Sequence, residues 1–362
     1  MSNDERRCEK FVGGSHSYEM EETLNSSWEN KERRRAFLLR ASVIGAGALL
    51  ALPRGAVADP KPETTRIRFV RSPAICTAPQ YLAEDLLRLE GFDQVEYIER
   101  TEPVLANMLA LERADITTLT VPEVLPDVDA GLPVVLLGGI HAGCWELFGH
   151  ENVRAVRDLK GKAIAIRGPA TPEYIFLASM LAYVGIDPRK DVRWVTARTI
   201  PETMELFVAR KADAFLGFPP QPQELRAKKI GRVILNTAQD RPWSEYFCCM
   251  VAANRTFVQQ HPVATKRALR ALMKAVDICA SDPQRVARYL GDKGYENRYG
   301  LALEVFEGVR YDRWRQSNPE DTVRFHALRL HEVGMIKSEP QKIVARGTDW
   351  RFLDEIKKEL KA

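Results

Sequence analysis

The sequence predicts an α/β protein of two lobes, each a mixed, mostly parallel sheet flanked by helices, with a ligand cleft between them. Three observations carry this. From Thr65 onward, short apolar runs alternate with segments of helical period, the pattern of strands joined by helical crossovers. The alternation starts afresh near Glu151. One phrase also occurs twice, "ERADITTLT" at 112–120 and "RKADAFLGF" at 210–218, each a basic helix end, then Ala-Asp, then an apolar strand.

The elements follow in order. "TRIRFVRSP" is a strand, and "APQYLAEDLLRLEGF" a helix stopped at Gly91. "VEYIER" is a strand, "EPVLANMLALERA" a helix, "DITTLT" a strand, "VPEVLPDVDAGL" a helix and "PVVLLGGI" a buried strand. After a linker, "ENVRAVRDLKGKAIAIRG" gives a short helix, a turn at Gly161 and a strand from Ala163 to Arg167. "PEYIFLASMLAYVGIDP" is a helix stopped by Gly185 and Pro188. "DVRWVTA" is a strand, "PETMELFVARKA" a helix, and "DAFLGF" and "GRVILNT" are strands. "EYFCCMVAANRTFVQQHP" returns to strand, and the remainder is largely helical. Strands separated by helices require right-handed crossovers and parallel pairing. The chain is therefore expected to visit one lobe, cross to the other and return. The crossovers are placed near Glu151–Asp158 and Arg241–Cys248, with lobe one formed by 59–152 and 248–362 and lobe two by 153–247.

Residues 1–58 read differently. The segment before Lys31 is polar and unpatterned, the composition of disorder. Arg33, Arg34 and Arg35 then precede an apolar run from Ala41 to Leu52 and the small-x-small triplet Ala56-Val57-Ala58, the three parts of an export signal. The run is shorter than the ~20 residues a membrane span needs. Arg34-Arg35-Ala36-Phe37-Leu38 resembles the twin-arginine motif R-R-x-F-L. Cleavage after Ala58 and a periplasmic location are expected.

The chain has 362 residues and a net charge of +4, and residues 1–58 carry nine Lys/Arg and eight Asp/Glu. The remainder is near balance with no clustered basic patch, which argues against nucleic-acid binding. Six cysteines, Cys8, Cys76, Cys144, Cys248, Cys249 and Cys279, stand at scattered spacings without C-x-x-C or Cys/His ligand spacing. They predict neither a disulfide framework nor a zinc module, and Cys248 and Cys249 are expected to be packing residues. There is no G-x-S-x-G, H-E-x-x-H or Walker loop, and His326 and His331, five residues apart, do not share a helical face. No catalytic residue, metal or cofactor is assigned.

The ordered phrases "APQYLAEDLLRLEGF", "LALERADITTLTVPEVL", "GLPVVLLGGI", "VRAVRDLKGKAIAI", "FLASMLAYVGIDPRKDVRWV", "LFVARKADAFLGFPP" and "VAANRTFVQQHPVATKRALRALMKA" resemble the periplasmic solute-binding proteins of ABC importers. The likeness is to the branch that handles nitrate, sulfonates, taurine and thiamine-pyrimidine precursors, and it covers most of residues 66–280. The resemblance implies the type II two-lobe binding fold and a monomeric receptor that closes over a small, anionic organic molecule. Its partners would be a permease and its ATPase. The alternatives it leaves open are an enzyme resembling the thiamine-pyrimidine precursor synthases, whose cofactor lysine and cysteine-rich motif have no clear counterpart here, and a ligand sensor for a membrane kinase.

Strand-end loops supply the candidate ligand contacts. Cys76, Thr77 and Gln80 follow the first strand and open a helix. Thr120 ends "DITTLT". His141, Gly143, Cys144 and Trp145 follow the buried strand, with Trp145 placed to stack on a flat ligand or to pack beneath the loop. Arg167 ends "AIAIR", where its planar fork suits a carboxylate or sulfonate, and Thr171 begins the next helix. The resemblance places the wall of the cleft at Phe218 and Pro219.

Overall fold

The strands alternate with helices as their apolar periods dictate, and they assemble into two five-stranded sheets. The structure, a computed structural model, describes residues 60–102 and 105–360. The segment read as an export signal, its expected cleavage site and Cys8 lie outside the described residues.

In the first sheet β1 (Arg66–Val70), β2 (Gln94–Ile98), β3 (Ile116–Thr120), β4 (Val134–Ala142) and β10 (Phe247–Asn254) take the order β2-β1-β3-β10-β4. β1 pairs in parallel with β2 and β3, whereas β10 runs antiparallel between β3 and β4. The second sheet repeats this plan. β5 (Glu146–Gly149), β6 (Ala163–Ile166), β7 (Arg193–Thr196), β8 (Ala214–Gly217) and β9 (Arg232–Asn236) take the order β7-β6-β8-β5-β9, with β5 the antiparallel member. A central antiparallel strand makes each sheet mixed.

The duplicated phrase has a duplicated job. Glu112 and Arg210 sit in the left-handed region at φ 55° and 56°, reversing the chain after a helix. The following aspartates then tie each strand to its neighbour. Asp115 accepts the Arg68 N–H at 2.8 Å and donates its own N–H to the Arg68 carbonyl at 2.9 Å. Asp213 does the same with Ala163, at 2.9 and 2.8 Å. A carboxylate on a strand N–H fixes register while satisfying a donor that burial would otherwise leave unpaired.

Two features depart from the sequence reading. "HAGCWELFG" contains not only a loop but the strand β5, so the chain leaves the first sheet at Ala142 and joins the second at Glu146, ahead of the expected Glu151–Asp158 crossover. The helix over "APQYLAEDLLRL" is two short pieces, α1 (Ala78–Leu82) and α2 (Glu84–Leu89). The other helices flanking the first sheet in this part of the chain are α3 (Leu105–Ala110) and α4 (Val121–Asp129). Around the second sheet lie α5 (Pro172–Tyr183), α6 (Ile200–Val208) and α7 (Gln221–Ala227).

Seven further helices close the chain: α8 (Arg255–Gln260), α9 (Pro262–Ser281), α10 (Pro283–Asp292), α11 (Tyr299–Gly308), α12 (Pro319–Glu332), α13 (Pro340–Gly347) and α14 (Arg351–Glu359). Assigned from sequence to lobe one, this region also reaches the second. α12 packs on both α4 and α5. Its Phe325 and His326 join Phe176 of α5 and Trp243 of the second crossover in an edge-to-face aromatic cluster, where burial pushes the His326 imidazole down to about 3. Among the described residues, no helix is long and apolar enough to cross a membrane.

Candidate functional site

Parallel strands of both sheets end toward one cleft, because each right-handed crossover returns its helix to the sheet and leaves the carboxyl ends free. The residues just past β1, β2, β3, β6 and β8 line it. An inner cavity of about 50 Å³ is walled by Cys76, Thr77, Arg100, Thr118, Thr120 and Glu123 from the first sheet's side. Trp145, Arg167, Pro172 and Phe218 face them from the second. An outer cavity of about 900 Å³ shares Arg100 and Arg167 with it and adds Arg71, Thr171, Arg198 and Tyr295.

The site residues, predicted and found, fall into three groups, with Arg167 belonging to the first and the third. Cys76, Thr77, Thr120, Cys144, Trp145, Arg167 and Phe218 line the inner cavity, and Thr171 lines the outer one. The indole of Trp145 lies edge-on to Phe218 and Phe176, at 5.0 and 5.9 Å between ring centroids. Its buried Nε1 has no hydrogen-bond partner among the described residues. Thr77 and Thr171 do not cap the helices they precede. Their hydroxyls donate to the carbonyls of Ala74 and Gly168, each at 2.7 Å.

A second group is structural. The Gln80 amide donates to the Val70 carbonyl at 2.7 Å and accepts from the Thr118 N–H at 3.1 Å, riveting β1 to β3. Gly143, at φ 64°, lies so close to the Asn236–Ala238 turn that a Cβ would stand 2.2 Å from Ala238 Cα. Pro219 lines a separate hollow with Glu146, Gln223 and Arg226 instead of forming the cleft wall. His141 is fully buried in β4, edge-on to Tyr311.

The third group corrects the electrostatics. Arg167 was the expected anion anchor, yet its Nε and Nη2 donate to the two oxygens of Glu173 at 2.9 and 2.7 Å, and its backbone N–H to the same carboxylate. Burial acts to raise the Glu173 carboxyl, but pairing with Arg167 outweighs it and leaves the group below its ordinary value. The less committed cation is Arg100, two residues past β2. Its Nε donates to the Glu102 carbonyl at 2.7 Å, while its buried Nη2 has no partner among the described residues. Burial lowers its affinity for a proton. Glu123, in the first turn of α4, has one buried oxygen without a partner among the described residues, and burial pushes its carboxyl up to about 8. It is therefore largely neutral at pH 7 and can donate. Arg100 occupies a strand-end position like that of Arg167, so the rule that selected one selects the other. Glu123 gave no such signal, because acids in a first helical turn are ordinary.

The fold also gathers what the sequence scatters. Cys76, His141, Cys144 and Cys249 are all buried, and their ligand atoms lie within 4.8 Å of one another. Cys248 Sγ stands 3.1 Å from Cys144 Sγ. The absence of Cys/His spacing in the sequence therefore did not exclude a clustered set, and Cys249, buried in the core as expected, stands in it.

The profile of the family described as "NMT1/THI5 like" matches residues 80–286. No curated protein matches the sequence. Among solved structures, the chain is similar to the periplasmic nitrate-binding protein NrtA from Synechocystis PCC 6803, with 15% identity, TM-score 0.69, and 83% of this chain and 90% of that one covered. It is also similar to the alkanesulfonate-binding protein SsuA from Xanthomonas axonopodis pv. citri bound to MOPS, with 16% identity, TM-score 0.63, and 80% and 99% covered. The aliphatic sulphonate-binding protein SsuA from Escherichia coli gives 15% identity, TM-score 0.61, and 78% and 96% covered. At these identities the likeness is one of fold, the periplasmic binding fold.

Proposed function

The chain belongs to the NMT1/THI5-like family, and from that membership together with the cleft we propose that it is an extracytoplasmic solute-binding receptor. It captures a small organic anion carrying a sulfonate, carboxylate or nitrate-like group, closes over it, and passes it unaltered to the permease and ATPase of an ABC importer. The protein works as a monomer, reaches the periplasm on the twin-arginine signal in residues 33–58, and is cleaved after Ala58.

Arg100 is the observation that carries this reading. A cation held from water with an unpaired Nη2 is expensive, and an anion in the cleft would complete it with a charge-assisted hydrogen bond. Neutral Glu123 and the Trp145 Nε1–H are further donors nearby, and Phe218 offers an apolar wall. These groups come from both sides of the cleft, so a ligand touching all of them binds the closed form best and shifts the population toward it. The inner cavity of about 50 Å³ is far below the roughly 300 Å³ of an ordinary ligand pocket, and the outer cavity of about 900 Å³ shares Arg100 and Arg167 with it, so a ligand larger than nitrate reaches Arg100 from the outer cavity as the two walls separate. The similar nitrate-binding and alkanesulfonate-binding proteins set the range of anions to try.

A thermal-shift screen of the protein against sulfonates, carboxylates, nitrate and pyrimidines tests the reading. A true ligand at 100-fold excess over its Kd stabilises by about 2.7 kcal/mol, and the compound is recovered unchanged. Silence across all the anions, or chemical conversion of a bound compound, would overturn it.

A further inference from the structure

At the wall of the inner cavity, which Cys76, Cys144 and Cys249 help to line, four side chains from three separate parts of the chain meet in one buried cluster. Cys76 comes from the Ile75–Thr77 turn after β1, and His141 from the end of β4. Cys144 comes from the segment that crosses to the second sheet, and Cys249 from β10. Strand register explains half of this. Cys249 stands directly opposite His141 in the antiparallel β10–β4 pair, and such partners share a face with Cβ atoms about 5 Å apart. Cys76 and Cys144 then arrive from the two loops that open at the same strand ends.

We propose that Cys76, His141, Cys144 and Cys249 bind one Zn²⁺ ion as a closed, structural site that pins the first crossover to the first sheet. The ligand atoms lie within 4.8 Å of one another. A tetrahedral zinc with Zn–S of about 2.3 Å and Zn–N of about 2.0 Å separates its ligands by roughly 3.5–3.8 Å. Contraction of less than about 1.3 Å therefore closes the set around a single ion. A second observation points to a ligand independently of the thiols. His141 is wholly inaccessible to solvent, yet neither of its ring nitrogens has a hydrogen-bond partner among the described residues, a state that burial makes costly. Coordination satisfies one of them. Three sulfurs and one imidazole suit zinc, which favours N and S donors in a tetrahedron, and four protein ligands leave no open position for chemistry or for a cargo ion.

The site is placed to act on the hinge. Cys144 lies in the segment between β4 and β5, and Cys249 follows the second crossover directly. A metal bond between them holds the two crossovers together while the lobes move. Three of its four ligands, Cys76, Cys144 and Cys249, also line the inner cavity.

The test uses the full-length chain purified under reducing conditions without chelator. Elemental analysis is expected to find about one zinc per chain. Replacement with Co²⁺ is expected to give intense thiolate-to-cobalt charge-transfer and tetrahedral d–d bands. Cys249→Ser and His141→Asn should each lose the metal or bind it at least tenfold more weakly in chelator competition, whereas Cys279→Ser, buried but outside the cluster, should retain it. If a variant fails to fold, competition between the wild-type chain and a chromophoric chelator reads the same affinity. Metal absent from the reduced wild-type chain and not taken up on addition would overturn the proposal. So would zinc equally retained by the cluster variants, a Cys144–Cys248 disulfide in place of metal, or a different metal at full stoichiometry.

Discussion

Replacing Arg100 with methionine should move stability and binding in opposite directions. In the unliganded protein the substitution removes one good hydrogen bond, from Nε to the Glu102 carbonyl at 2.7 Å, costing about 1 kcal/mol. It also removes a buried Nη2 with no partner among the described residues, whose desolvation costs about 1–3 kcal/mol. Methionine keeps the apolar stem. The balance is a free protein unchanged or more stable by up to about 2 kcal/mol, a rise of at most several degrees in Tm. Binding goes the other way. An anion in the cleft loses its charged partner, and truncating one member of a buried ion pair costs about 2–5 kcal/mol, which at 1.4 kcal/mol per decade is roughly 30- to 4,000-fold in Kd. Differential scanning calorimetry of the free protein gives the first quantity, and isothermal titration with the best anion from the screen gives the second. A variant that melts lower by more than a few degrees while binding as the parent does would show that Arg100 serves the fold and not the ligand.

Three other outcomes follow from the same structure. Arg167→Met leaves the buried Glu173 carboxylate unpaired and should destabilise by about 3–5 kcal/mol in urea unfolding; a neutral result would mean the pair is dispensable. Glu123, pushed up to about 8 by burial, keeps its proton in the folded state while the unfolded chain loses it near 4.5. Stability should therefore fall as pH rises between about 4.5 and 8, by up to about 1.4 kcal/mol per unit. Glu123→Gln should flatten that slope, and parallel pH–stability curves would refute the assignment. Gly143→Ala sets a Cβ 2.2 Å from the Ala238 backbone at a positive φ and should cost more than about 2 kcal/mol or prevent folding, read as the urea midpoint.

Much of the fold was legible because strands and helices announce themselves by period. "DITTLT" and "DAFLGF" became β3 and β8, and the repeated Ala-Asp became the same strand tie twice. β5 was missed because "ELFG" is four strand residues between a loop and a turn, too short to set a period of its own. Its antiparallel pairing with β8 and β9 comes from partners some seventy to ninety residues away. Within the site, position past a strand end pointed to Cys76, Thr120 and Trp145, and the family resemblance to Phe218, all of which line the inner cavity. Gln80, chosen by the same strand-end rule, instead bonds Val70 and Thr118, since the face of a short helix that meets the sheet is set by packing.

The sequence by itself determined the alternation of elements, the two-sheet plan and the strand-end loops that open into the cleft, because each depends on local period or turn chemistry. Charge pairing and ligand convergence were decided only in three dimensions. Glu173 neutralises Arg167 while Arg100 keeps a nitrogen unpaired, and three thiols meet one imidazole from positions as far apart as Cys76 and Cys249. The physical reason is range. Propensity acts over a few residues along the chain, but electrostatics and coordination act over a few ångströms in space, and only the folded backbone converts one distance into the other.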